Sequence, residues 1–291
     1  MKRVLIGCLL LLTGCATGGL RRSRVLFDDF SYTSTSELAQ HGWIMRTENG
    51  WPGVPGSSWG PESFSLHDGV LRMTSSTGGS GANTRQTQLC HQRKYLEGTY
   101  AARVRFNDQP AAGPNGDQIV ETFYFISPQK APMDPDYSEI DFEYLPNGGW
   151  GHVGPKIHAT TWETFQLDPW IADNATSNKA GAIGGWHTLV AQVGNGMVRY
   201  FVDGQPLAEH GGKFYPESMM SINFNLWFVK DGLIPGTDTR TWDEDIDWVF
   251  FRAGEVIAPD AVEAAVADMR RRSIAFRDTV PSSGLSSPCN F

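Results

Sequence analysis

Between residues 25 and 252 the chain alternates apolar and polar positions in short runs separated by Gly, Pro, Asn and Asp. GVLRMTSS, GTYAARVRF, ETFYFIS, SEIDFEYL, KIHATTW, WHTLVAQV, MVRYFVDG, SINFNLWF and DIDWVFFR carry the two-residue period of strands with a buried face. The pattern predicts an all-β domain, a sandwich of two antiparallel sheets that begins near VLFDDF and contains no internal repeat. One segment differs in kind. In PDAVEAAVADMRRRSIAF, Val262, Val266, Met269 and Phe276 return near the helical period, and Asp260 stands three residues before Glu263, a capping-box spacing. A single C-terminal helix docked on the sandwich is expected within residues 254–291, followed by a tail.

The SEIDFEYL run raises a problem of charge. Glu139, Asp141 and Glu143 occupy every second position, so a strand projects all three from one face and turns Ile140, Phe142 and Tyr144 to the other. At roughly 3.3 Å rise per residue the outer Cα atoms stand about 13 Å apart. If each glutamate leans inward by about 4 Å, the carboxylates approach to about 5 Å, where one carboxylate can attack a sugar while the other protonates the breaking bond. Like charges this close also disfavour each other's ionisation, so one glutamate can stay protonated beside an anionic one. A solvated acidic face or a set of calcium ligands would show the same spacing. SINFNLWF adds a strand with Ser221, Asn223, Asn225 and Trp227 on one face and Ile222, Phe224, Leu226 and Phe228 on the other. Amides match sugar hydroxyls and an indole matches a flat C–H face, although a solvent-facing strand reads the same way. His158 and Trp162 in KIHATTWET, and Trp150 in NGGW, are candidates for the same groove, set against the commoner role of a ring in packing.

EIDFE resembles the E-[ILV]-D-x-E active-site strand of family 16 glycoside hydrolases. The resemblance extends over most of the domain: GTYAARVRF looks like the strand before the active site, WHTLVAQVGNGMVRYFVDGQPL like the W-H to Y-x-D-G segment, and DIDWVFF like the last strand. It implies a concanavalin A-like β-jelly-roll over residues 26–253 and endo-acting, retaining hydrolysis of a polysaccharide, a β-glucan first and a galactan second. Glu139 is implied as nucleophile, Asp141 as auxiliary acid and Glu143 as acid/base. The motif lacks the extra residue of the bulged E-x-D-x-x-E variant, so the unbulged branch is the nearer match. No cofactor is required. The family's last-strand aspartate can take part in a calcium site, and Asp247 matches that position. Two other readings stay open: a transglycosylase that passes the same covalent intermediate to another sugar, and a lectin-like carbohydrate-binding domain without turnover.

The first residues, MKRVLIGCLLLLTGC, read as an export signal, with Lys2 and Arg3 before an apolar run and small residues after it. The run is shorter than the roughly 20 residues that span a bilayer. LTGC resembles the lipobox of bacterial lipoproteins, in which Cys15 is lipidated, residues 1–14 are removed and residues 15–25 form a tether. An ordinary cleaved signal is the alternative. The expectation is an exported protein of the cell envelope, held on a membrane by its lipid. Loss of Lys2 and Arg3 takes the formal net charge from −8 to −10, which points away from a nucleic-acid partner. Cys90 and Cys289 then remain, and an oxidising compartment lets them pair.

Two further patterns carry no chemistry. GSSWG matches G-x-S-x-G, yet Pro52, Pro55 and Pro61 deny it the preceding strand and following helix. DEDID alternates Asp243, Asp245 and Asp247, whose shorter side chains leave the outer carboxylates about 7 Å apart, too far for a covalent retaining mechanism. A polar strand or a metal contact suits it better, and the histidines show no metal-ligand spacing. The lipobox reading predicts that Cys15→Ser yields a protein without acyl label that no longer partitions with membranes. Unchanged partition would refute it.

Overall fold

The computed structural model describes residues 23–287 and residue 289, so Cys15 and the leader lie outside the described residues. The alternating runs form two antiparallel sheets. The first orders β11 (Trp170–Ala180), β10 (Lys156–Leu167), β9 (Glu139–Leu145), β8 (Ile119–Ile126), β15 (Ser221–Phe228), β6 (Thr84–Cys90) and β2 (Ile44–Met45), the last preceded by the one-turn helix α1 (Glu37–Gln40). The second orders β14 (Gln205–Gly211), β13 (Met197–Val202), β12 (Gly185–Gly194), β7 (Gly98–Phe106) and β16 (Arg240–Ala253). Beyond β16 this sheet forks. β5 (Val70–Thr77) and β4 (Phe64–His67) follow its first half, while β1 (Val25–Asp28) and β17 (Phe276–Asp278) follow its second. β5 and the short β3 (Ser58–Trp59) also pair with β6, joining the two sheets at one corner.

The core lies between the sheets. Ile140, Phe142 and Tyr144 of β9 pack there with Phe123, Ile222, Phe224 and residues of β7 and β12. Each such side chain contributes roughly 1.5–3 kcal/mol on burial. A one-residue slip of β9 would turn the whole set outward, so packing fixes the register and with it the opposite face. That face carries Glu139, Asp141 and Glu143.

A bulge at Asp247 shifts the phase of β16: Ile246 faces Val104 while Trp248 faces Arg103. Trp242 and Ile246 therefore enter the inter-sheet core, whereas Trp248 and Phe250 face outward and meet Val262, Val266 and Met269 of α2 (Pro259–Arg271). The capping box expected there does not form. Pro259, with no N–H and a preset φ, takes the first helical position, so Asp260 lies inside the first turn and Glu263 accepts a bond from the Thr188 hydroxyl at 2.5 Å. Phe276 lies beyond the helix, in β17.

The DEDID acids answer arginines on the outer face. Arg72 pairs with Asp243 and doubly with Asp245, and Arg270 of α2 holds Asp247 at 2.7 Å with Arg103 at 3.6 Å. The residues around Asp247, a candidate calcium ligand, do not fit that ion, because two guanidinium groups occupy its carboxylate. Among the described residues no group of three or more His, Cys, Asp or Glu side chains could hold a metal ion. Cys90 and Cys289 form a disulfide with Cα atoms 5.5 Å apart, which fastens the tail to β6.

Two acids sit in the core itself. Glu121 of β8 and Glu244 of β16 are fully buried; Glu121 accepts the Asn107 N–H at 3.2 and 3.0 Å, and neither oxygen of Glu244 has a side-chain partner. Burial holds both carboxyls well above the usual range, with Glu244 adding to the rise at Glu121 and Asp245 to that at Glu244. A native value above the unfolded one means that this contribution to stability is present in acid and is lost as pH rises through the native value. The melting temperature should therefore fall as pH rises above the ordinary carboxylate range, and Glu244→Gln should make the fall shallower. An unchanged slope in a pH series of melting curves would contradict it.

Candidate active site

The three acids of β9 stand in the middle of a groove of about 950 Å³. Register sets their neighbours: Glu139 lies between Ile126 and Trp162, Asp141 between Tyr124 and Thr160, and Glu143 between Thr122 and His158. The next strands outward supply Asn225, opposite Thr122, and Asn174 and Thr176, opposite Trp162 and Thr160. The groove thus crosses the strands, with the acids at its centre and amides and hydroxyls on both sides.

Each acid has a dedicated donor. The Tyr137 hydroxyl donates to Glu139 Oε2 at 2.5 Å, and the Trp162 indole donates to Asp141 Oδ2 at 2.8 Å. The Asp141 carboxyl in turn donates a hydrogen bond to Glu139, and the Trp150 side chain bonds Glu143. Trp150 adopts a left-handed φ of 52° within a glycine-rich turn, a conformation disfavoured for a bulky residue. The turn carries its ring to 5.7 Å from that of Trp227.

Burial is the main cause of the unusual acidity of this cluster. It lifts Glu139 to about 8, where Glu143 adds and the bonds from Tyr137 and Asp141 oppose, and it lifts Glu143 to about 7, where the Trp150 bond opposes. Asp141 is held well above the usual range by burial and by both glutamates. At neutral pH the cluster therefore keeps protons, and loss of one from the glutamate pair leaves a carboxylate beside a proton donor on one face. Burial also pushes His158 down to about 4, so its imidazole is neutral. His158 Nε2 and Asn225 Oδ1 are buried with no hydrogen-bond partner among the described residues. Orphaned polar atoms on a groove wall are suited to ligand hydroxyls.

Of the residues expected from the sequence, Glu139, Asp141, Glu143, Asn225, Trp227, His158, Trp162 and Trp150 all line the groove. Asn223 does not. It shares the face of Asn225, but it is fully buried and its amide bonds the Ser221 hydroxyl at 2.9 Å. Sequence reasoning missed Tyr137, Tyr124, Trp51, Phe165 and Trp170. Tyr137 precedes the strand by two residues, and that spacing from Glu139 is the signal that could have found it.

The sequence model described as glycosyl hydrolases family 16 matches residues 56–250. Comparison with curated protein sequences gives no match. Among solved structures the chain is similar to the Bacillus licheniformis β-glucanase, at 16% identity over 79% of this chain and 99% of that one, with a TM-score of 0.58. A prokaryotic β-1,3-1,4-glucanase (lichenase) derived from a mouse hindgut metagenome gives 18%, 78%, 98% and 0.58. The κ-carrageenase of Pseudoalteromonas carrageenovora, solved with an oligotetrasaccharide of κ-carrageenan, gives 15%, 84%, 99% and 0.55. At these identities the likeness speaks for the jelly-roll fold.

Tyr137 supports the charged form of Glu139. Tyr137→Phe should move the Glu139 titration, followed by carbon NMR of labelled glutamate, to higher pH, and a titration that stays in place would contradict the bond.

Proposed function

The chain belongs to glycosyl hydrolase family 16, and on that premise we propose that it hydrolyses internal β-glycosidic bonds of a polysaccharide with retention of configuration. A β-glucan is the first substrate to test and a galactan the second. One observation carries the reading: two glutamates on one face of β9, each lifted toward neutrality and each held by its own donor. The glucanase and carrageenase neighbours support internal cleavage.

In this reaction Glu139 attacks the anomeric carbon while Glu143 protonates the departing oxygen. Glu143 then takes a proton from water, which displaces Glu139 and frees the second product. The charge assignment follows from substrate binding. A glycosidic oxygen beside Glu143 accepts a hydrogen bond only from a protonated carboxyl, whereas Glu139 already receives bonds from Tyr137 and Asp141. Binding thus draws the proton to Glu143 and the charge to Glu139. Asp141, anchored by the Trp162 indole, orients the nucleophile and supplies neither the attacking group nor the transferred proton. Trp227 and Trp150 offer ring faces to a sugar, and Asn225 and His158 offer buried polar atoms to its hydroxyls. The enzyme of this proposal is exported and tethered to a membrane through Cys15.

The two glutamates should fail differently. Glu139→Ala should abolish turnover of every leaving group, and added azide should give a glycosyl azide of inverted configuration. Glu143→Ala should slow a natural sugar leaving group by about 10²-fold or more but an aryl leaving group far less, with azide giving the retained product. Identical responses of the two variants, or inverted wild-type products, would contradict the assignment. For wild-type enzyme, kcat/KM should pass through a maximum between about pH 7 and pH 8 and fall on both sides, because the reactive form carries one proton on the Glu139–Glu143 pair.

A further inference from the structure

The β10–β11 hairpin runs past the catalytic strand. β9 begins at Glu139, opposite Trp162, whereas β10 continues to Leu167 and β11 returns from Trp170. Between Trp162 and Thr164 the pairing shifts by one residue. A regular strand would continue the groove-facing series His158, Thr160, Trp162 with Thr164 and Gln166. With Glu163 as the extra residue, Phe165 and Leu167 take that face, opposite Ala172 and Trp170. The bulge exchanges a polar extension of the groove for an apolar one.

The result is a wall of rings. Phe165 lies 5.9 Å from Trp162 and 6.0 Å from Trp170, and Trp51 of the 50–56 loop stacks on it at 5.8 Å. Trp170 is 57% exposed, so it keeps a wide face open. Trp51, Trp162, Phe165 and Trp170 line the same groove as the acids, which makes the wall continuous with the reaction centre. None of these side chains is charged. Flat exposed rings attract the C–H face of a pyranose, whereas a sulfate or carboxylate pressed against them would lose water without gaining a counter-charge from the rings; Arg46, which bonds the Trp51 carbonyl, is buried and turned to Gln88 and to backbone carbonyls.

We propose that this hairpin wall is a binding station for an uncharged sugar unit of the substrate chain, away from the bond that is cleaved, and that it selects neutral over anionic units there. The proposal rests on the glycan-hydrolase reading above. It assigns the exposed rings to the substrate and not to a lipid surface, because the wall opens into the catalytic groove.

The test uses the soluble domain from about residue 22 on neutral oligosaccharides of increasing length and on a short aryl glycoside. Trp170→Ala should lower kcat/KM for the long chains by about tenfold more than for the aryl glycoside, chiefly through KM, and Trp170→Phe should recover most of the difference. Sulfated chains of equal length should be poorer substrates for the wild type, and Trp170→Ala should narrow that preference. Equal losses on long and short substrates, no loss, or weakened binding to phospholipid vesicles with unchanged turnover would each overturn the proposal. Affinity electrophoresis in gels containing neutral polysaccharide separates this inference from the catalytic one. If wild-type protein cleaves nothing yet is retarded in the gel, and Trp170→Ala is not, the wall stands and the hydrolase reading falls. Equal migration of the two would overturn the wall.

Discussion

Three carboxyl groups side by side, Asp141 buried and the two glutamates half-buried, are the constraint on which the groove depends. Taking a carboxylate out of water is costly, and neighbouring charges add to the cost, so burial drives protons onto such a cluster. The protein offsets this with a donor for each acid: Tyr137 and Asp141 for Glu139, Trp162 for Asp141, Trp150 for Glu143. It offsets the remainder with the other side of the same strand. Ile140, Phe142 and Tyr144 lock β9 in register, so the apolar half of the two-residue period holds the acidic half in place.

Local departures from that period shape the surroundings. The bulge at Asp247 places Ile246 in the core and Trp248 under α2, and the same aspartate ties the helix to the sheet through Arg270. The bulge beside Trp162 aligns the hairpin's rings with the groove. In both cases one inserted residue exchanges which side chains face which layer. Fold and site therefore meet at the same backbone features.

What was legible in the sequence follows from the same physics. EIDFE was readable because a strong strand pattern and three acids coincide, so alternation alone placed the acids on one face. His158 and Trp162 share the groove because they pair directly with Glu143 and Glu139, a partnership that alternation suggests and only register fixes. Asn223 shows the limit: the period assigns a face, but whether another segment covers that face is a tertiary matter. β11 has little apolar alternation because it is an exposed strand, and so Asn174, Thr176 and Trp170 gave no signal. Phe165 was hidden by a bulge, and Asp247 by arginines from β7 and α2 that lie distant in sequence.

The central claim is that Glu139 becomes covalently bonded to the sugar. An activated 2-deoxy-2-fluoro β-glycoside of the sugar that the enzyme turns over should trap that intermediate, because the fluorine slows both its formation and its hydrolysis while the good leaving group restores only its formation. Peptide mass spectrometry of the inactivated protein should find one glycosyl adduct, on Glu139. An adduct on Glu143, or none from an enzyme that still cleaves the parent glycan, would contradict the account.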